Sequence, residues 1–232
     1  MKLYFNGCSF VWGDELEDRE QESFPYLLKE KFNCDILNDS VNAASNQRIL
    51  RTTLSRDLKD YFVIIGWSSI FRYEYFTDKG VTLLNKYDFE VWNQVTPGMK
   101  GFHTGAYLEY EWFIMNFINQ VLVLQNYLKN NNIPYFFFLS FGENVDERNE
   151  VQKFWNNSKT DIPMSKWIDG YDEWFSHIDS KKFPSLFDND KIFRNYCFKN
   201  KLLMSEGIDG HPTKNCHKLW AEYLSEELNN II

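Results

Sequence analysis

The sequence is short of most features that announce a function by themselves. Basic residues are in deficit: Lys plus Arg number 25 against 33 Asp plus Glu, a formal net charge of −8 over 232 residues. That balance excludes the electrostatic footprint of a non-specific nucleic-acid binder, and no Lys/Arg run offers an anionic membrane a landing site. No apolar stretch is long enough to span a bilayer. Met1 runs almost directly into a first strand, so the expectation is no signal peptide and a cytoplasmic location. The four cysteines, Cys8, Cys34, Cys197 and Cys216, are widely spaced without a CxxC pair, and are read as reduced thiols. Only four histidines occur; His103 and His177 match no zinc spacing, so no metal site is expected. Gly7 to Gly13 lacks the lysine of a phosphate-binding loop, and no cofactor is expected.

What is present in excess is aromatic: 21 Phe, 13 Tyr and 8 Trp, or 18% of the chain. Such side chains build cores, and they also build stacking walls for ligands such as sugars. At 44% hydrophobic and 25% charged the chain is an ordinary globular protein, read as a single domain over residues 1–232.

Apolar runs at Lys2–Asn6, Cys34–Leu37, Tyr61–Ile65 and Tyr135–Leu139 predict short buried strands. Helical spacing predicts helices from Ser23 to Phe32, from Asn46 through Leu58, from Ala106 to Lys129 and from Lys214 to Leu228. Strand and helix alternate, which predicts a three-layer α/β/α sandwich, flavodoxin-like, with a mostly parallel sheet. Phe71–Gly105 and Asn144–Asn200, rich in Trp, Tyr, Phe, Asn and Asp, read as insertions over the sheet's carboxyl edge, where such folds bind ligands.

Chemistry concentrates at the two ends of the chain. Asn6-Gly7-Cys8-Ser9-Phe10-Val11-Trp12-Gly13 places a serine just past the first strand, where glycine permits a sharp turn. Ser9 can there present hydroxyl and backbone N–H to one pocket, while Cys8 packs inward. Gly207-Ile208-Asp209-Gly210-His211-Pro212 supplies a histidine beside an acid that could fix its tautomer.

Together these segments resemble the SGNH, or GDSL-like, hydrolase superfamily. Its first block corresponds to Gly7-Cys8-Ser9 with Gly13, its last to Asp209, His211 and Pro212. Asn42–Ile49 looks like the second block, with Asn46 where a glycine N–H is expected. Gly66-Trp67-Ser68-Ser69 looks like the third, with Ser68 in place of an asparagine. Asp209 and His211 stand one residue closer than is usual; Glu206 is the substitute acid and His217 the substitute base. The resemblance implies a catalytic Ser9, His211 and Asp209, with an oxyanion hole from Ser9, Asn46 and Ser68. It implies hydrolysis of small acyl esters, O-acetyl groups on carbohydrate being the best substrate. An acyltransferase or a decayed binding protein on the same scaffold is the alternative. Trp67, Arg72 and Glu74 are substrate-binding candidates beside the third block; Arg72 and Glu74 could equally form a local ion pair, and Trp67, Trp92, Trp155, Trp167 and Trp174 could equally anchor the insertions.

Overall fold

The computed structural model describes residues 2–70, 72–77, 80–84, 110–140, 171–202 and 210–231. Four parallel strands form the central sheet: β1 (Lys2–Gly7), β2 (Asp35–Asn38), β3 (Tyr61–Trp67) and, in fourth place, Tyr135–Leu139. Between β3 and that last strand lies a two-stranded antiparallel hairpin, β4 (Tyr73–Thr77) and β5 (Gly80–Leu84), which makes Tyr135–Leu139 β6. The sheet order is β2-β1-β3-β6. The expected parallel α/β sandwich is what the chain forms.

Helices follow the strands: α1 (Ser9–Trp12), α2 (Arg19–Glu22), α3 (Phe24–Phe32), α4 (Asn46–Leu54), α5 (Tyr110–Asn130), α6 (Tyr171–Ser176), α7 (Phe193–Lys199) and α8 (Lys214–Asn229). Strand alternation sorts the side chains between two helical layers. Phe5 and Phe138 point to one face, where they meet Phe24 of α3 and Trp220 of α8. Tyr4, Asn6, Trp67 and Phe137 point to the other, toward α4 and α5. In α5 the buried Ile114, Phe117, Ile118, Val121, Leu124 and Leu128 recur at helical spacing, which is why this segment is a helix with one wet face.

Of the second aromatic-rich segment, the described part is not an overhang. Phe183 and Phe193 are wholly buried, and Phe193 stacks on Trp220 at 4.8 Å between ring centroids. Trp174 is partly buried against the core. The segment also seals the β6 edge: Phe137 N–H donates to Lys182 O and Leu139 N–H to Ser185 Oγ. Those are the ladder donors an exposed edge would leave open. Trp92, Trp155 and Trp167 lie outside the described residues.

The close approach of α1 to the sheet decides where the carboxyl edge can hold a side chain. Gly7 and Gly66 are register partners on β1 and β3, and Val11 of α1 sits over both. A Cβ on Gly66 would stand 2.4 Å from Val11 Cγ2 and 2.7 Å from Phe138 Cζ; one on Gly7 would stand 2.8 Å from Gly66 O. Gly66→Ala is therefore expected to cost about 2 kcal/mol as an overpacked site. Chemical denaturation should show part of that loss recovered against a Val11→Ala background, a coupling of about 1 kcal/mol. Strict additivity would mean that Val11 does not set the contact.

Candidate active site

Ser9 is the first residue of α1, with Cys8 as its N-cap in extended conformation. Both are buried, Cys8 completely, its thiol among core residues as the sequence led one to expect. The Ser9 hydroxyl oxygen is shut away from solvent and has no hydrogen-bond partner among the described residues. Buried hydroxyls are usually paired, so this one calls for an explanation. Its backbone N–H occupies the first-turn position that no intrahelical acceptor can reach.

Asn46 holds the equivalent first-turn place in α4, behind Ser45, whose Oγ accepts Arg48 N–H as the cap. The Asn46 side chain is fully engaged. Its Nδ2 donates to Ser68 O and Ser69 O at 3.1 and 3.3 Å, and its Oδ1 accepts Ser68 N–H at 2.8 Å. Asn46 thus clips the end of β3 to the start of α4 and leaves only its backbone N–H for chemistry. The left-handed residue of this loop is Ala43, at φ 56°, three positions before Asn46. The glycine-like backbone therefore lies upstream of the position that the sequence reading chose.

Ser68 is buried, and its Oγ accepts from Arg72 Nη1 at 3.2 Å, so the hydroxyl hydrogen is directed elsewhere. Glu74 is taken by Arg51 of α4, with Nη2–Oε1 at 2.8 Å, and its N–H donates to Gln47 Oε1. Trp67 is not at the rim: it is 0% exposed and packs edge-on against Phe117 and Phe137. Its place on the inward side of β3 makes it a core residue, not a ligand platform. Beside Arg72 lies a crevice with room for about one water, with Asn46, Gln47, Asn116 and Gln120 in its wall.

Two histidines approach from α8 and the loop before it. His211 is 3% exposed, with its ring edge-on to Phe10 at 5.6 Å. Its hydrogen-bonding nitrogens face acids that the sequence reading did not consider: Glu15 Oε2 lies 3.5 Å from Nδ1 and Asp14 Oδ2 3.9 Å from Nε2. No hydrogen bond joins His211 to Ser9 in this arrangement. Asp209 and Glu206, the expected acids, lie outside the described residues. The overlooked signal was Gly13-Asp14-Glu15, a turn glycine followed by two carboxylates directly behind the helix that Ser9 opens.

His217, the substitute base, is completely buried inside α8. Its Nδ1 accepts Phe24 N–H at 3.2 Å, and its ring stacks on Phe24. Burial, with a smaller contribution from nearby His211, pushes its pKa down to about 3. A lone pair already given to a backbone N–H cannot also take a proton from serine.

Residues 13–229 match a family described as "Family of unknown function (DUF6071)". The chain belongs to that family. No curated protein matches it in sequence. Solved structures do match in shape. The psychrotrophic esterase EstA from Pseudoalteromonas sp. aligns over 99% of this chain and 97% of its own, at TM-score 0.50 and 12% identity. The lipase Lip_vut3 from a goat rumen metagenome aligns over 98% and 97%, at TM-score 0.52 and 14% identity. Axe2, an acetylxylan esterase from Geobacillus stearothermophilus, aligns over 98% and 93%, at TM-score 0.50 and 14% identity. This member of DUF6071 has the SGNH-hydrolase fold.

The depressed His217 gives a pH signature. Its folded pKa of about 3 lies below the ordinary imidazole value, so the unfolded chain binds the extra proton. Stability is then complete above about pH 6.5 and falls as pH drops toward the folded value, by up to ~1.4 kcal/mol per pH unit. His217→Gln keeps an acceptor for Phe24 N–H without titrating. Between about pH 5.5 and 4.5 the wild type is expected to lose ~1 kcal/mol more than this variant in urea unfolding. Parallel curves would mean that His217 is accessible to protons in the folded state.

Proposed function

We propose that this chain is a serine ester hydrolase acting on small acyl esters, with O-acetyl groups on carbohydrate as the substrate class. The observation that carries the proposal is the buried, unpartnered Ser9 hydroxyl at the head of α1, with His211 packed against the adjacent Phe10. A hydroxyl engaged by nothing else, next in sequence to the ring that packs on an imidazole, suits nucleophilic acyl transfer, and catalytic hydrogen bonds often close only when substrate is bound.

His211 takes the Ser9 proton as Oγ attacks the ester carbonyl carbon. The C=O π electrons move to oxygen, and the backbone N–H groups of Ser9 and Asn46, with the Ser68 hydroxyl, receive that oxyanion. Collapse expels the alcohol, which leaves with the proton from His211; water then repeats the sequence and frees the acid. α1, α4 and Ser68 all follow the carboxyl ends of adjacent strands, so topology delivers these donors to one edge. Asp209 is the acid that the sequence reading assigns to His211. The carbohydrate preference is supported by Axe2, an acetylxylan esterase, among the structural neighbours. A sugar hydroxyl replacing water as acceptor would make the same site an acyltransferase.

A fluorophosphonate probe tests the nucleophile. The wild type and His217→Gln should label, and Ser9→Ala should not; His211→Ala should label and cleave short-chain esters at least about a thousandfold more slowly. A wild type that neither labels nor cleaves acetylated oligosaccharides would reduce this site to a binding role.

A further inference from the structure

His211 is wedged between the Phe10 ring and the turn that follows α1. Its side chain is 4% exposed, and Nδ1 is buried with no hydrogen-bond partner at the separations present. Among the described residues the nearest acidic oxygen to Nδ1 is Glu15 Oε2 at 3.5 Å; on the opposite side Asp14 Oδ2 stands farther off, at 3.9 Å from Nε2. His217 also lies close enough to act on this imidazole, and burial keeps it neutral.

The turn that carries the two acids is anchored to the nucleophile itself. Gly13 N–H and Asp14 N–H both donate to Ser9 O, at 2.9 and 3.0 Å. Gly13 makes the reversal at φ 80°, where a Cβ would collide with Leu16 and Ser23. Glu15 is then held at φ 64°, a left-handed conformation that costs a non-glycine residue about 1 kcal/mol. Strain of that kind persists only where the surroundings enforce it, and here it accompanies a carboxylate aimed at a buried imidazole.

We infer that Glu15 is the carboxylate that orients His211. It accepts the Nδ1 hydrogen, which leaves the Nε2 lone pair to receive the Ser9 proton. Glu15 stays ionised throughout and stabilises the imidazolium, while the proton passes from Oγ to Nε2 and on to the leaving alcohol. The assignment rests on Ser9 and His211 as nucleophile and base, and it moves the orienting role from Asp209 to the segment behind α1. Glu15 touches no reacting atom and is a positioning residue. Nucleophile and orienting acid then lie six positions apart, locked together by one carbonyl.

The tautomer of His211 reads this out without any substrate. Imidazole 15N spectra at about pH 8.5, well above the ordinary imidazole range, should show Nδ1–H in the wild type. Glu15→Gln, whose amide can donate as well as accept, should move population to Nε2–H, and Glu15→Asp should partly restore Nδ1–H. On a short-chain nitrophenyl ester, Glu15→Gln should lower kcat by on the order of a hundredfold or more with KM nearly unchanged. If Nδ1–H survives Glu15→Gln and is lost in Asp209→Asn, the assignment to Glu15 is overturned, whether or not any ester is cleaved. If the tautomer follows Glu15 in a wild type that cleaves no ester, Glu15 keeps its role and the hydrolase reading is what fails.

Discussion

The contact on which the site depends is the seating of Val11 over the paired glycines Gly7 and Gly66. Two strands without side chains at one register level open a shallow notch in the sheet's carboxyl edge. Val11 fills the notch and draws α1 down until Ser9 and Phe10 are buried with it. A helix of four residues has almost no stability of its own, because nucleation costs more than one turn returns. Its geometry is therefore set by packing at Val11 and Phe10 and by the hydrogen bonds that Gly13 and Asp14 return to Ser9 O. The same two hydrogen bonds tie the turn that carries Asp14 and Glu15 to Ser9.

A second constraint comes from two buried amides. Asn6, fully enclosed, donates to Thr52 Oγ1 and Thr53 Oγ1 at 2.8 and 3.0 Å and accepts Gly7 N–H. It ties the end of β1 to the middle of α4. Asn46 ties the start of α4 to the end of β3. Around them Tyr4 and Arg56 share Asp39, and Arg48 caps the Asp39 carbonyl. Between them these side chains fix the first turn of α4 relative to both strands that flank the site. A backbone N–H placed this rigidly can stabilise charge without reorganising, which is the property an oxyanion donor needs. An amide side chain spent on the scaffold cannot also serve as that donor. The third-block serine fits the same economy: its N–H belongs to Asn46, and its hydroxyl takes a hydrogen bond from Arg72.

Much of the architecture was legible because it rests on local signals. Four apolar runs gave four parallel strands, with boundaries displaced by a residue or two, as at β3, which continues from Ile65 to Trp67. Ser9 and His211 were legible as a turn serine and a loop histidine at opposite chain ends. Quantities that depend on which face of an element looks inward were not. Trp67 follows a buried strand in sequence and was read as rim, yet it continues the strand and points to α5. Phe183 and Phe193 sit in a segment without periodicity, and their burial comes from distant partners: Phe117 and Phe137 for Phe183, and Phe10, Phe24, His217 and Trp220 for Phe193. Arg51 pairs with Glu74 across 23 positions, a contact that no spacing rule anticipates. Glu15 was missed for a related reason. Acids in a polar turn read as solvated, and nothing local tells that the chain's other end will lay an imidazole across them.

The two histidines of the C-terminal region differ in what surrounds their rings. They lie six residues apart and both are almost wholly buried, so exposure does not separate them. The partners of their lone pairs do. His217 has spent its Nδ1 lone pair on Phe24 N–H, which obliges its hydrogen to sit on Nε2, inside a cage of Phe24 and Phe193 rings. Protonating it would place a charge among aromatic faces with no acid beside it among the described residues. His211 instead has Glu15 Oε2 3.5 Å from Nδ1 and Asp14 Oδ2 3.9 Å from Nε2. In this fold the turn behind α1, which Gly13 shapes and Val11 seats, carries the carboxylates that face His211, the imidazole to which the proposed mechanism gives the role of base.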